Sequence, residues 1–255
     1  MQNTNKTIGF NQENWLILNT TSSTNQYAKE LLSKSTPVLD GTVIMAENQT
    51  AGKGQKTNVW ESEPGKNLTF SFILDSSFLS IDKQYLLNQF ISLSIYDFLV
   101  EIPCLVPFIK WPNDLYINEK KIGGILIENL IAGNKHKHSI IGVGLNINQT
   151  DFSSNLSRAT SLKIETNQEF DLYFILKRIL NKFQHRLNQL KSLTFELIEE
   201  EYTKNLLGFK QLRYFRHLDR TFQGFISGTG PQGELKIQVE NKEEFFEINE
   251  LVFLF

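Results

Sequence analysis

The segment 108–148 restricts this chain more than any other stretch. It holds strand-type runs at 108–118, 121–131 and 139–148, and only the tight Asn118-Glu119-Lys120 connection separates the first two. Parallel neighbours need a crossover of about a dozen residues or more. The first pair therefore reads as a β-hairpin, and the third run follows it in series. Upstream, 42–46 (TVIMA) is a short apolar strand, and 67–74 (NLTFSFIL) alternates and is rich in β-formers. Helical spacing runs through Leu87, Phe90, Ile91, Ile95 and Phe98 over 84–101, and recurs at 167–190 and 193–206. A further helix opens at Ser22 to Gln26, with Ser23 and Gln26 in capping-box spacing and Tyr27, Ala28, Leu31 and Leu32 as its apolar side. The polar, aperiodic 148–158 is expected as a loop. Hairpins and helices that do not alternate regularly imply an α+β fold rather than a doubly wound parallel sheet.

The pattern changes at Gly208. From there, short β-like pieces are separated by Gly228, Gly230, Pro231 and Gly233, which suits a small β-barrel. Two domains are expected, 1–207 and 208–255. The net charge of −2 gives no reason to expect nucleic acid or an anionic membrane as the main partner. Residues 1–15 (MQNTNKTIGFNQENW) are polar with no apolar signal region, and no apolar run reaches the ~18–20 residues of a membrane span. Cys104 is the single cysteine, so no internal disulfide can form; between Pro103 and Leu105 it is expected as a small buried hydrophobe. A cytoplasmic chain is expected.

Four motifs can carry chemistry. Gln49-Thr50-Ala51-Gly52-Lys53-Gly54-Gln55-Lys56 combines exposed backbone N–H groups with positive charge, which suits a phosphate or carboxylate. It fits neither named phosphate fingerprint: a P-loop needs Gly before Lys, but Gln55 precedes Lys56, and the dinucleotide pattern needs Gly at Thr57. A plain surface loop is the other reading. In Lys110-Trp111-Pro112-Asn113-Asp114, proline breaks a strand-type run. The break either points a cation, a ring and a carboxylate into one cleft or marks a bulged edge strand. The glycines of 120–128 (KKIGGILIE) signal close approach by a ligand or backbone, or a bulge alone. In 142–148 (GVGLNIN), alternating glycines leave one strand face bare, to receive a ligand or a helix.

The order of these motifs is more specific than any one of them. Ser23-Thr24-Asn25, the Gly52-Lys53-Gly54 loop running to Trp60, KWPNDL at 110–115, GGILIE at 123–128 and GVGLNIN at 142–148 together resemble the biotin–protein ligases. The resemblance is strong over 15–165 and weaker through the C-terminal part. It implies a mixed, largely antiparallel sheet with flanking helices, class II synthetase-like, plus a small C-terminal SH3-like β-barrel. It also implies an ATP-dependent ligase that makes biotinyl-5'-AMP, releases pyrophosphate and biotinylates a lysine of a biotin carboxyl carrier protein. By the same resemblance Ser23, Thr24, Asn25, Gln49, Gly52, Lys53, Gly54, Gln55, Lys110 and Gly124 bind biotin. Gln55, Asn58, Trp60, Lys110, Asn113 and Asn146 hold ATP or the adenylate. Lys110, Lys53 and Asp114 are the expected catalytic residues, with Asp114 either orienting or deprotonating the acceptor lysine or only ordering the Asn113 turn or a metal-bound water. Mg²⁺ is expected through the phosphates, with no protein ligand assigned.

The sequence departs from the family at one place. The commoner loop reads Gly-Arg-Gly-Arg, whereas Lys53 and Gln55 stand here, trading bidentate forks for a point charge and a neutral amide. A lipoate-type ligase is the second reading, and KWPND argues against it. A biotin-responsive DNA-binding repressor is the third. It needs roughly 60 residues of helix-turn-helix domain before a motif that begins here at Ser23, so a ligase without that domain is expected, as monomer or homodimer. Other features are read as plain structure. His136 and His138 are expected in an exposed turn rather than on a metal, Glu199-Glu200-Glu201 on a solvated helix face, and the phenylalanines between Phe170 and Phe183 in the core.

Overall fold

Alternation in one strand organises the larger part of the molecule. A computed structural model describes Phe10 and residues 12–132, 135–190 and 195–255. In β3 (Leu68–Asp75), Phe70, Phe72 and Leu74 face one way and Thr69, Ser71 and Ile73 the other. Phe70, Phe72 and Leu74 join the main core with α2 (Gln84–Val100) and α4 (Leu172–Leu190), where Phe72 lies 5.1 Å from Phe183. Ile73 instead packs with Ala28 of α1 (Thr24–Ser33), Ile44 of β2 (Val43–Gln49) and Ile140 of β7 (Lys135–Leu145). The sheet is thus covered by helices on both faces. α2 is buried on nearly every side, as a helix apolar all round must be.

The sheet runs β1 (Trp15–Thr21), β2, β3, β7, β6 (Lys120–Ala132), β5 (Asp114–Ile117), β4 (Pro107–Lys110). Among the described strand pairs of this sheet only β1–β2 is parallel, with α1 as its crossover, and the others are antiparallel. The expected mixed, largely antiparallel α+β architecture is borne out. A second sheet of β8 (Leu212–His217), β9 (Arg220–Thr229), β10 (Leu235–Val239), β11 (Lys242–Phe246) and β12 (Leu251–Leu254) follows, in the order β11-β10-β9-β8-β12 and wholly antiparallel. It matches the expected SH3-like barrel.

Several local expectations are corrected. The run 108–118 is two strands, not one bulged strand: Pro112 has no N–H for a ladder, so the chain turns there and sets Lys110 opposite Asp114. Ser23 is the N-cap of α1 by position, but its hydroxyl makes no cap bond, and Gln26 donates to Glu30 instead. α4 starts at Leu172 rather than 167, because Asn167 in left-handed geometry ends the short α3 (Leu162–Thr166) and Asp171 accepts from the Phe174 N–H. The helix read over 193–206 is α5 (Phe195–Lys204), and its first two expected residues lie outside the described ones. His136 and His138 belong to β7, not to a turn, and His138 is half-buried. Cys104 is exposed with φ 69°, at a bend after α2. Phe183 is core, but Phe174 is 59% exposed. Glu201 leaves the solvated run to pair with the buried Arg186, which also grips Asp97 of α2. Most of the polar 1–15 stretch lies outside the described residues. Among the described residues no helix is long and apolar enough to cross a membrane.

Candidate active site

Three glycines make the floor of a cavity. Gly142 and Gly144 point to one face of β7, and Gly124 of β6 is the register partner of Gly144. A Cβ on Gly142 would collide with Asn25 Oδ1, and one on Gly144 with the indole of Trp60. Side chains of α1 and of the glycine loop therefore lie directly on this strand.

The start of α1 forms one wall. The Thr24 N–H donates to Gln49 Oε1 at 2.8 Å, and Ser71 joins Thr24 Oγ1 and Asn25 Oδ1, each at 2.6 Å. Asn25 Nδ2 donates to Glu128 Oε2 at 2.9 Å, and Lys29 closes the chain on Glu128 at 2.6 Å. Ser23, Thr24, Asn25 and Ser71 are all buried, so this network is fixed by mutual hydrogen bonds rather than by solvent. The glycine loop forms the opposite lip. It is a small hairpin: Lys53 bridges Val59, the Gly54 N–H donates to Asn58 O at 2.8 Å, and the Trp60 N–H donates to Gly52 O at 3.0 Å.

The β4–β5 turn closes the third side. Pro112 O accepts from Asn88 Nδ2 at 2.9 Å and from the Tyr202 hydroxyl at 3.0 Å, while Tyr85 and Tyr202 hydroxyls meet at 2.9 Å. Burial pushes both phenols up, so they stay protonated donors. The Trp111 indole N–H donates to Gly233 O at 2.8 Å, and Asn113 Nδ2 to Ile125 O. With its backbone held this way, the turn presents Lys110 and Asp114 to the cavity. Asp114 Oδ1 pairs with Lys121 at 2.6 Å. Burial lowers the Lys110 pKa; Asp114 opposes that shift and Lys121 adds to it.

These walls enclose about 260 Å³. Ser23, Thr24, Asn25, Gln49, Lys53, Gly54, Gln55, Asn58, Trp60, Lys110, Asn113, Asp114 and Gly124 all line it, so motifs far apart in the sequence form one surface. Gly52 and Asn146 are not on the wall. Gly52 sits at the base of the hairpin, where a Cβ would collide with the Trp60 carbonyl. Asn146 is buried one layer down: its Nδ2 donates to Thr160 O at 2.9 Å, and its Oδ1 has no partner among the described residues. Lys121, Gly142 and Gly144 are lining residues to which the sequence reading assigned no role, although they lie in motifs it singled out. Asn249, in the turn between β11 and β12, and Leu251 of β12 reach the cavity from the C-terminal part, and nothing in the sequence marks them. Among the described lining residues, three lysines face a single carboxylate, which makes the cavity a site for an anion.

The family model for the biotin/lipoate A/B protein ligases matches residues 17–146, the part of the chain that builds all but the second sheet's share of this cavity. The chain belongs to the biotin/lipoate A/B protein ligase family. Within that family it is similar to the bifunctional ligase/repressor BirA of Bacillus subtilis, 32% identical over 220 residues that cover 85% of this chain and 67% of that protein. It is also similar to the biotin–[acetyl-CoA-carboxylase] ligase of Mycobacterium tuberculosis, 24% identical over 94% of this chain and 90% of that one. A solved biotin protein ligase from Aquifex aeolicus, in complex with biotin and ATP, superposes with a TM-score of 0.79 at 26% identity, over 95% of this chain and 99% of that one. The biotin protein ligase resemblance read from the motifs is borne out, and so are its fold and enzyme class.

Proposed function

We propose that this biotin ligase activates biotin with ATP to biotinyl-5'-AMP in the cavity described, releases pyrophosphate, and transfers biotin to a lysine of a biotin carboxyl carrier protein. The observation that carries the reading is the convergence of Lys110, the 52–60 hairpin and the Ser23-Thr24-Asn25 wall on one cationic cavity. The fused, uncharged ring of biotin fits the hydrogen-bonding wall of Thr24, Asn25 and Gln49. Its carboxylate and the nucleotide phosphates fit the lysine side.

The chemistry needs no protein nucleophile. A biotin carboxylate oxygen attacks the α-phosphorus of ATP, and the bond to pyrophosphate breaks. Lys110 and Lys53 stabilise charge on the phosphoryl oxygens as it develops. In the second step the neutral amine of the carrier lysine attacks the acyl carbon, the bond to AMP breaks, and the amine loses a proton. Asp114 orients that amine with the carboxylate oxygen not engaged by Lys121. Mg²⁺ would arrive on the triphosphate as its counter-ion. Among the described residues no cluster of three or more metal-ligating side chains exists, and Asp114 is the one lining carboxylate. That donor set fits an ion held chiefly by substrate phosphates. We place the domain boundary at 207/208, a division supported by Gly208 with φ 88° just ahead of β8.

Incubation with biotin, radiolabelled ATP and a carrier domain tests both half-reactions, scored separately as adenylate and as biotinylated protein. A chain that forms neither product ends this reading. The pH dependence is a second check. Lys110 acts protonated, and burial lowers its pKa from the ordinary 10.5. Adenylation should therefore fall as pH rises, with a midpoint below that of an exposed lysine; a rate still flat above about pH 10 counts against the role. Gln55 gives a third. It lines the cavity where an arginine fork would bind bidentately. Gln55→Arg should slow dissociation of biotinyl-AMP by about tenfold, read by intermediate release from a preloaded enzyme. An unchanged rate removes Gln55 as the cause of a looser grip.

A further inference from the structure

Lys110 supplies charge to the proposed chemistry, yet among the described residues no carboxylate is in ion-pair contact with it. Asp114, directly across the β4–β5 hairpin, is taken by Lys121. Among the described residues the Lys110 ammonium has neither an ion pair nor a hydrogen bond. It lies over two aromatic faces instead, 4.8 Å from the ring centroid of Phe253 and 5.8 Å from that of Tyr116. Tyr116 is its neighbour on β5, but Phe253 comes from β12, in the other sheet.

The ring of Phe253 is itself fixed. Phe215 meets it edge-on at 5.2 Å and Phe255 stacks on it at 6.4 Å, while Tyr116 stacks on Phe255 at 6.1 Å and 8°. Phe253 is 8% exposed, so water is largely excluded from this contact. A carboxylate here would fix the ammonium and also cancel its charge. A ring face attracts the ammonium through its quadrupole and leaves the net charge available to an incoming anion. The same β12 brings Leu251 to the cavity wall.

We propose that Phe253 is a positioning residue for Lys110, so that the last strand of the chain is part of the adenylation apparatus. The inference rests on the acyl-adenylating reading of the cavity. Biotin-dependent exchange of labelled pyrophosphate into ATP tests it, with the unsubstituted chain, Phe253→Leu, Phe253→Tyr, Lys110→Ala and the Lys110→Ala/Phe253→Leu double variant. Phe253→Leu should lower kcat about tenfold with the KM for biotin little changed, because the ring-binding wall is not touched. Phe253→Tyr, which keeps the ring face, should restore the rate. On the Lys110→Ala background Phe253→Leu should cost nothing further, since the group it positions is gone. A merely structural role predicts the opposite: the same loss on both backgrounds and a matching fall in Tm, and that result overturns the proposal. Phe253→Met replaces leucine if leucine unfolds the barrel. Absence of exchange from the unsubstituted chain overturns the functional reading and this proposal together, whereas exchange indifferent to Phe253→Leu overturns this proposal alone.

Discussion

Lys110→Ala is expected to lower biotin-dependent adenylation by more than ~100-fold, the scale of removing one preorganised charge partner. The size follows from the setting. Among the described residues lining the cavity, Asp114 is the single carboxylate, and it is bound to Lys121. The charge of Lys110 is therefore offset only in part, by Asp114 across the hairpin, and is partly desolvated, where an electrostatic contribution is larger than in water. Lys53, on the hairpin lip, is too exposed to replace it. The fold should survive, because the Lys110 ammonium holds no hydrogen bond or ion pair among the described residues, while Trp111 and Pro112 carry the contacts that fix the turn. Near-normal pyrophosphate release from a folded Lys110→Ala would refute the catalytic assignment.

Gly142→Ala is expected to raise the KM for biotin by about 10- to 100-fold while leaving the turn at Pro112 intact. The added methyl would occupy the place of Asn25 Oδ1. Asn25 must then leave Ser71, which in turn holds Thr24, and its amide loses Glu128. Each buried polar group left without a partner costs about 1–3 kcal/mol, and one such loss spans the stated range. Isothermal titration with biotin alone separates this from an effect on ATP. Unaltered biotin affinity would show that the α1 wall does not hold the ligand.

Sequence legibility differed sharply between the two halves of the site. KWPND and the paired glycines were readable because their residue types conflict with the strands around them: a proline without an N–H, and glycines where a Cβ would normally pack. The structure resolves those conflicts by a hairpin turn and by side chains laid onto bare backbone. β1 carries no alternating strand signal in the sequence. Its burial along Trp15–Thr21 does not alternate cleanly, because it is an edge strand paired in parallel on one side only. The capping-box spacing at Ser23 forms no box for a different reason: Ser23 lines the cavity, and Gln26 donates to Glu30 on the exposed side of α1. Asn249, Leu251 and Phe253 were beyond reach, since only tertiary folding brings the second sheet to Lys110.

The hydrogen bond from Trp111 to Gly233 has a practical consequence. It places an indole, 2% exposed, astride the seam between the two sheets and one residue from Lys110. Should the barrel lift away while the larger sheet stays folded, this fluorophore alone would pass from a dry to a wet surrounding. Its emission therefore provides an intrinsic optical gauge of that parting, separable from global denaturation once Trp15 and Trp60 are replaced by phenylalanine.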